Sequence, residues 1–370
     1  LISRLLAQNI RHRGLSFVYA ELLSHKEGNQ IYIRELSQLD GFPIETLHPL
    51  FQNAVLMGVL RRSEEGMIPF LNPPGGFTSE NGDLFVFLAG KYEDTLPSSG
   101  PSLPALERNL SRGVPASKSV RRVLVLGWNR KIPSLLYEFD SYREERFDID
   151  IISLMPIPER EKQSMHHTKN LETVQINHLF GDYTVLGDLL ALRPHVYDNI
   201  LLVSNDRLDT GEESDARTIS GYILLRDLLS KASGQPDIIL ELMDPENEKL
   251  FEKRAVEVLL TPLMLSRILA HVALRPELNT VFDELFTTGG AELSFRPAHE
   301  YGFSTGRFRF EEIRDIVGRS GDTALGVRKT TRISDSLGGI ELNPSGNAII
   351  RIDADDEIVV LTTYMPVSYT

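Results

Sequence analysis

One pattern of residues occurs twice in this chain, once near each end, and this repeat limits the possible folds more than any other feature. Arg4 to Arg34 (RLLAQNIRHRGLSFVYAELLSHKEGNQIYIR) aligns with Arg267 to Arg296 (RILAHVALRPELNTVFDELFTTGGAELSFR). Each has an apolar helix, a short turn, a second helix ending in Glu-Leu, and a Gly-containing step into a strand. Farther on, Leu71-Asn72-Pro73 and Asp83-Leu84-Phe85-Val86 recur as Leu342-Asn343-Pro344 and Asp356-Glu357-Ile358-Val359. Order and spacing agree over about a hundred positions, which predicts the same small α+β lobe twice.

The segment between the copies reads differently. Leu96 to Ser117 is rich in Pro, Ser and Gly, the composition of a linker. Short apolar runs then alternate with helical segments: Val123 to Leu126, Ile149 to Leu154, Thr173 to Ile176, Ile200 to Val203, Asp237 to Leu242 and Val256 to Leu260. Strands that are nearly continuously apolar, with helices between them, belong to a parallel sheet covered on both faces. The expected fold is therefore α/β: a Rossmann-like, doubly wound lobe plus two copies of a small α+β lobe. The expected boundaries are a first small lobe at 1–97, a linker at 98–118, the Rossmann-like lobe at 119–261 and the second small lobe at 262–370.

Composition removes several function classes. A net charge of −13 argues against a nucleic-acid binder, which needs a basic surface. With no cysteine there are no disulfides, thiolate metal sites or cysteine nucleophiles. No apolar stretch approaches the roughly 20 residues that cross a bilayer. The chain starts at Leu1 rather than Met, which reads as a fragment with its start removed. His166 and His167 are adjacent on a helical segment and so diverge, and no nucleophile–base motif occurs, so an enzyme is not expected.

Two places remain as candidate sites. A dinucleotide fold needs G-x-G-x-x-G after its first strand, and here the sequence is Gly127-Trp128-Asn129-Arg130-Lys131-Ile132. Only the first Gly is present, and the second strand ends Ser153-Leu154-Met155-Pro156 without a ribose-binding acid. The turn at Gly127, Asn129 and Arg130 reads as a vestigial nucleotide turn without a cofactor, with Arg130 and Lys131 as solvated charges. The second place is the loop Ser204 to Asp215, which has five carboxylates in the ten residues from Asp206 to Asp215 and follows a strand's carboxyl end. Such a cluster could supply oxygens to Ca²⁺. Glu212, Glu213 and Asp215 also sit where acids favour a helix N-terminus.

Several stretches together resemble the CASTOR/POLLUX-type cation channels. These are Arg122-Val-Leu-Val-Leu-Gly-Trp-Asn-Arg-Lys131, the acidic loop, the helix SDARTISGYILLRDL from Ser214 to Leu228, and the repeated Asn-Pro lobe. The resemblance implies a cytosolic gating-ring region built from RCK (regulator of K⁺ conductance) units and assembled as a homotetramer beneath the channel's own pore. Tyr32 to Gly41, with Leu71-Asn-Pro73 and Gly82-Asp83, is similar to the C-terminal lobe of a first unit, and residues 119 to 364 to a whole second unit. Within the acidic loop it implies Asp206, Glu213 and Asp215 as Ca²⁺ ligands. Leu265, Ile268, Val281 and Phe282 then belong to a helix pair expected to clasp Leu5, Leu6, Val18 and Tyr19 of the first copy. Two alternatives are a TrkA-like regulatory subunit of a potassium uptake system and an NAD-linked oxidoreductase, the latter disfavoured by the missing glycines. Transmembrane segments ahead of Leu1 would favour the channel.

Overall fold

The computed structural model describes residues 2–24, 28–64, 66–98, 120–143, 145–208, 210–251, 256–286, 290–332 and 338–363. Except for Ser98, the expected linker at 98–118 lies outside them. The first stretch runs α1 (Ile2–Arg11), α2 (Leu15–Leu22), β1 (Gln30–Glu35), α3 (Ile44–Leu47), β2 (Ala54–Ser63), β3 (Gly66–Leu71) and β4 (Leu84–Ala89). The middle runs β5 (Arg121–Leu126), α4 (Ile132–Ser141), β6 (Phe147–Ser153), α5 (Ile157–Thr168), β7 (Val174–Phe180), α6 (Leu186–Leu192) and β8 (Asn199–Leu202). It continues with α7 (Gly211–Ser230), β9 (Asp237–Leu242), β10 (Glu257–Leu260) and α8 (Thr261–Leu274). The last stretch runs α9 (Leu278–Leu285), β11 (Ala291–Pro297), β12 (Gly306–Arg309), α10 (Phe310–Gly318), β13 (Thr323–Arg328), β14 (Ile340–Leu342), β15 (Ile349–Ile352) and β16 (Glu357–Thr363).

The chain divides into two compact units, each made of separate stretches: Leu1–Ser16 with Ala116–Ser266, and Phe17–Pro115 with Arg267–Thr370. In the first unit, six parallel strands lie in the order β10-β9-β8-β5-β6-β7. That is the dinucleotide-fold order, with its topological switch between β5 and β8. Leu124, Leu126, Leu202 and Leu240 are fully buried, as strands covered on both faces require.

Helix α1 belongs to this unit, although its sequence is part of the repeat. Leu5, Leu6 and Ile10 are buried, and α1 packs against α4. Arg4 Nε lies 3.0 Å from a Glu138 carboxylate oxygen, Arg11 Nε lies 2.8 Å from Glu145, and Arg121 donates to the Ile10 carbonyl. An apolar stripe specifies burial but not the partner, and within this unit α4 supplies an apolar neighbour together with Glu138, while Glu145 follows just after it.

The second unit holds both lobes of the repeat. The first sheet has the order β1-β4-β2-β3, and the second has the order β11-β16-β13-β14. Strand for strand these are one topology, with β12 and β15 pairing as an additional ribbon in the later copy. Each copy has a bulge at the same point, between Leu56 and Gly58 on β2 and between Ala324 and Gly326 on β13. Close backbone approach dictates Gly at both. A Cβ on Gly58 would come 2.0 Å from the Phe70 carbonyl oxygen, and one on Gly326 would come 2.3 Å from that of Glu341. Helix α9 packs over β3, and the Tyr19 and Phe286 rings meet at 5.3 Å between centroids.

Candidate functional site

The carboxyl ends of β5, β8 and β9 flank the crevice where this fold holds nucleotides. Gly127 turns the chain out of β5 with φ +107°, and any Cβ there would come 3.0 Å from a Val203 methyl. The rest of the turn points inward. Asn129 is buried and donates to the Ser204 carbonyl at 2.8 Å and to Glu241 at 3.2 Å, while its own oxygen accepts from the Lys131 N–H.

Glu241, at the end of β9, is the hub. Its fully buried carboxylate accepts from the Ser204 N–H at 3.1 Å, the Ser204 hydroxyl at 2.9 Å and the Thr261 hydroxyl at 2.8 Å, and it pairs with the Lys131 ammonium. A buried carboxylate is tolerated only when its lone pairs are filled and its charge is paired, and both conditions are met here. The network ties together the turn after β5, the end of β8 and the first residue of α8. An anionic pyrophosphate would meet the Asn129 side chain and the Glu241 carboxylate here instead of open backbone.

On the other side of the turn, Trp128 is buried and donates its indole N–H to Gln163 at 2.9 Å. Tyr183 fills space beside Gly127 and presses on Gly221 of α7, where a Cβ would come 2.5 Å from the ring. The crevice is occupied by the chain's own side chains on both sides of β5.

Lys131 is thus a correction to the reading of solvated charge, whereas Arg130 is 86% exposed and lies 3.5 Å from Asp206. The sequence carried one signal for the hub, since Glu241 ends the otherwise apolar run Ile238-Ile239-Leu240. An acid embedded in a buried strand needs a partner. Lys131 stands 110 residues away, and only the strand order brings the two together.

The acidic loop is organised by backbone. Asp215 is fully buried and accepts from the Met243 N–H at 2.8 Å, the Asp244 N–H at 2.9 Å and the Asn247 amide at 2.8 Å. Asp206 accepts from the Arg130 N–H at 3.0 Å. Glu213 is exposed in the first turn of α7, which Thr210 caps by accepting from the Glu213 N–H at 3.1 Å. Asp206 and Asp215 therefore face different partners, and Asp209 lies outside the described residues. Among the described residues, no group of three His, Asp or Glu side chains is placed to hold a metal ion. Nor is any described helix long and apolar enough to cross a membrane.

Residues 1–102 match the family described as Castor and Pollux, part of voltage-gated ion channel. The probable ion channel CASTOR of Oryza sativa subsp. japonica is 25% identical over 395 residues, which covers 98% of this chain and 43% of that protein. The ion channel POLLUX of Lotus japonicus is 25% identical over 354 residues, covering 86% of this chain and 38% of that protein. The chain thus spans about two-fifths of the length of these relatives. Among solved structures, the human SLO3 gating ring superposes with a TM-score of 0.71 at 16% identity, covering 99% of this chain and 75% of that one. The resemblance to CASTOR/POLLUX channels extends through both lobe copies and the Rossmann-like unit, and the fold is similar to that of the SLO3 gating ring.

Proposed function

We propose that this chain is the cytosolic, ligand-sensing regulatory region of a CASTOR/POLLUX-like cation channel, converting ligand binding into pore gating and carrying out no enzymatic reaction. The observation that carries this reading is the extent of the match, since 98% of the chain aligns with a CASTOR channel in one alignment. In this reading, residues 1–97 are the C-terminal lobe of a first RCK unit and 98–118 a linker. Residues 119–261 are the Rossmann-like lobe of a second unit, and 262–370 are its C-terminal lobe. The region stands on the cytoplasmic face of a membrane, joined to the pore of the same protein, and assembles as a homotetramer.

The geometry fits such a role. A sensor needs no reacting groups, only two lobe arrangements with different affinity for the ligand. Apolar residues are available for self-association: Phe180 at the end of the edge strand β7, Leu186 and Leu190 on α6, and Leu269 and Leu274 on α8 are all exposed. The hub at Glu241 holds the first residue of α8, so a displacement at the crevice would be passed directly to that helix.

The test has two parts. Light scattering on the purified chain should give a mass of four copies, and a monomer at all concentrations would remove the ring. Bilayer recordings of the pore-containing protein, with and without Glu241→Gln, should show altered open probability at unchanged unit conductance. Unchanged gating would detach the crevice from the pore.

A further inference from the structure

The Rossmann-like unit also contains a buried cation, on the β6–β7 side of the sheet, away from Glu241 on β9. Arg160 of α5 is fully buried, and no carboxylate pairs with it among the described residues. Its guanidinium donates to the Ile151 carbonyl at 3.0 Å and to the Leu179 carbonyl at 2.7 Å, pinning α5 to the ends of β6 and β7. Its Nη1 also faces His178 Nδ1 at 3.5 Å. A guanidinium has only donors, so this contact requires Nδ1 to be an acceptor, which means a neutral imidazole with its proton on Nε2.

We infer that Arg160 and His178 form a proton-sensitive clamp: with His178 neutral, α5 is held on the sheet, and with His178 protonated, two cations face each other and the hold on the corner between β6, α5 and β7 is released. The charged groups around the ring support this. From α5 come Arg160 and the neighbouring Glu161, which offsets part of the charge. From β6 the register partner is uncharged Ile151, and the turn after β5 brings Trp128. On α4, Glu138 pairs with Arg4, while Asp140 accepts from the N–H groups of Glu172 and Thr173. Burial, followed by the Arg160 charge, holds the imidazole below its ordinary value. The corner that would loosen carries Leu154 and Phe180, both exposed apolar side chains.

The chain contains its own reporter. Trp128 is its single tryptophan, and the indole meets His178 edge-on at 5.6 Å between centroids. In a fluorescence titration from pH 8 to 5 at fixed ionic strength, Trp128 emission should change with a midpoint below the usual histidine value of about 6.5. His178→Gln should flatten that transition and lose less melting temperature than the wild type between pH 7.5 and 5.5. Nitrogen NMR of histidine-labelled wild-type chain, which does not depend on the variant folding, should show the Nε2–H tautomer at neutral pH. A flat wild-type titration, a transition that persists in His178→Gln, or an Nδ1–H tautomer would each overturn the clamp.

Discussion

Asn72 and Asn343 occupy the same point in the two copies of the small lobe, share a left-handed backbone at φ 46°, and each reaches into the other copy. Asn72 donates to the Gly321 carbonyl at 2.9 Å, just ahead of β13, and Asn343 donates to the Asn53 carbonyl at 2.9 Å, just ahead of β2. Their backbone N–H groups match as well, donating to the Met57 and Leu325 carbonyls, both at 2.7 Å. This reciprocity is that of a two-fold interface formed within one chain.

Replacing either Asn tests two terms at once. Ala loses the cross-copy bonds and pays for a left-handed conformation, whereas Gly loses only the bonds. Asn72→Ala and Asn343→Ala should each destabilise the second unit by about 2 kcal/mol, and the Gly variants by roughly half that. Chemical denaturation decides this, and equal losses for Ala and Gly would mean that the backbone conformation carries no strain.

The paired bulges predict a larger effect. Gly58→Ala and Gly326→Ala would place a methyl inside van der Waals contact of a neighbouring carbonyl in each sheet. Each should cost about 3 kcal/mol or more, because backbone rather than a flexible side chain has to move. A melting temperature within a degree or two of wild type would show that the bulge relaxes.

In the crevice, Glu241→Gln would leave the Lys131 ammonium without its anion, and Lys131→Met would leave a buried carboxylate uncompensated. The second should be worse, at about 3–5 kcal/mol against about 1–2 for the first, because Lys131 is partly exposed and Glu241 is not. The double variant should recover part of the loss in a double-mutant cycle. Simple additivity would mean that the two charges act independently.

The parallel α/β class of the Rossmann-like unit and the recurrence of the small lobe were legible because they rest on local signals: alternating strand and helix, and a repeated Asn-Pro turn before an acidic turn into the last strand. What was not legible depends on partners far apart in sequence. The apolar stripe of α1 predicts burial, but nothing in it distinguishes α4 from the helices of its own repeat. Ion pairs with Glu138 and Glu145 make the choice. In the same way, Asp215 reads as a helix-capping or metal-binding acid from its neighbours, whereas its donors come from residues 243 to 247.

His48 gives a pH dependence in the second unit. Burial, and then the Arg314 charge, lower its imidazole to about 4, so it stays neutral in the folded chain while an unfolded chain binds its proton near 6.5. Between those values the unfolded state binds more protons, so stability falls as pH drops from about 6.5 toward 4. The loss should reach about 2 kcal/mol, and His48→Gln should remove most of it. Denaturation midpoints at pH 7 and 4.5 in both proteins measure this, and identical slopes would place the acid sensitivity elsewhere.

Asp215 separates a structural brace from a metal ligand. Its two carboxylate oxygens take three donors from the segment after β9, and ionised acceptors make the stronger kind of hydrogen bond. Asn at this position turns one acceptor into a donor facing N–H groups, so Asp215→Asn should cost about 2–3 kcal/mol of stability. Ca²⁺ calorimetry carried out below the variant's melting temperature should give the same heat as the wild type, because Asp215 is fully buried and three of its roughly four lone pairs are filled while the segment stays closed. Asp206→Asn, whose carboxylate is only half-buried beside Arg130, should change stability by less than about 1 kcal/mol. If Asp215→Asn instead melts like the wild type and weakens Ca²⁺ binding, the loop is a metal site that opens on loading, and the brace assigned to Asp215 belongs only to the empty state.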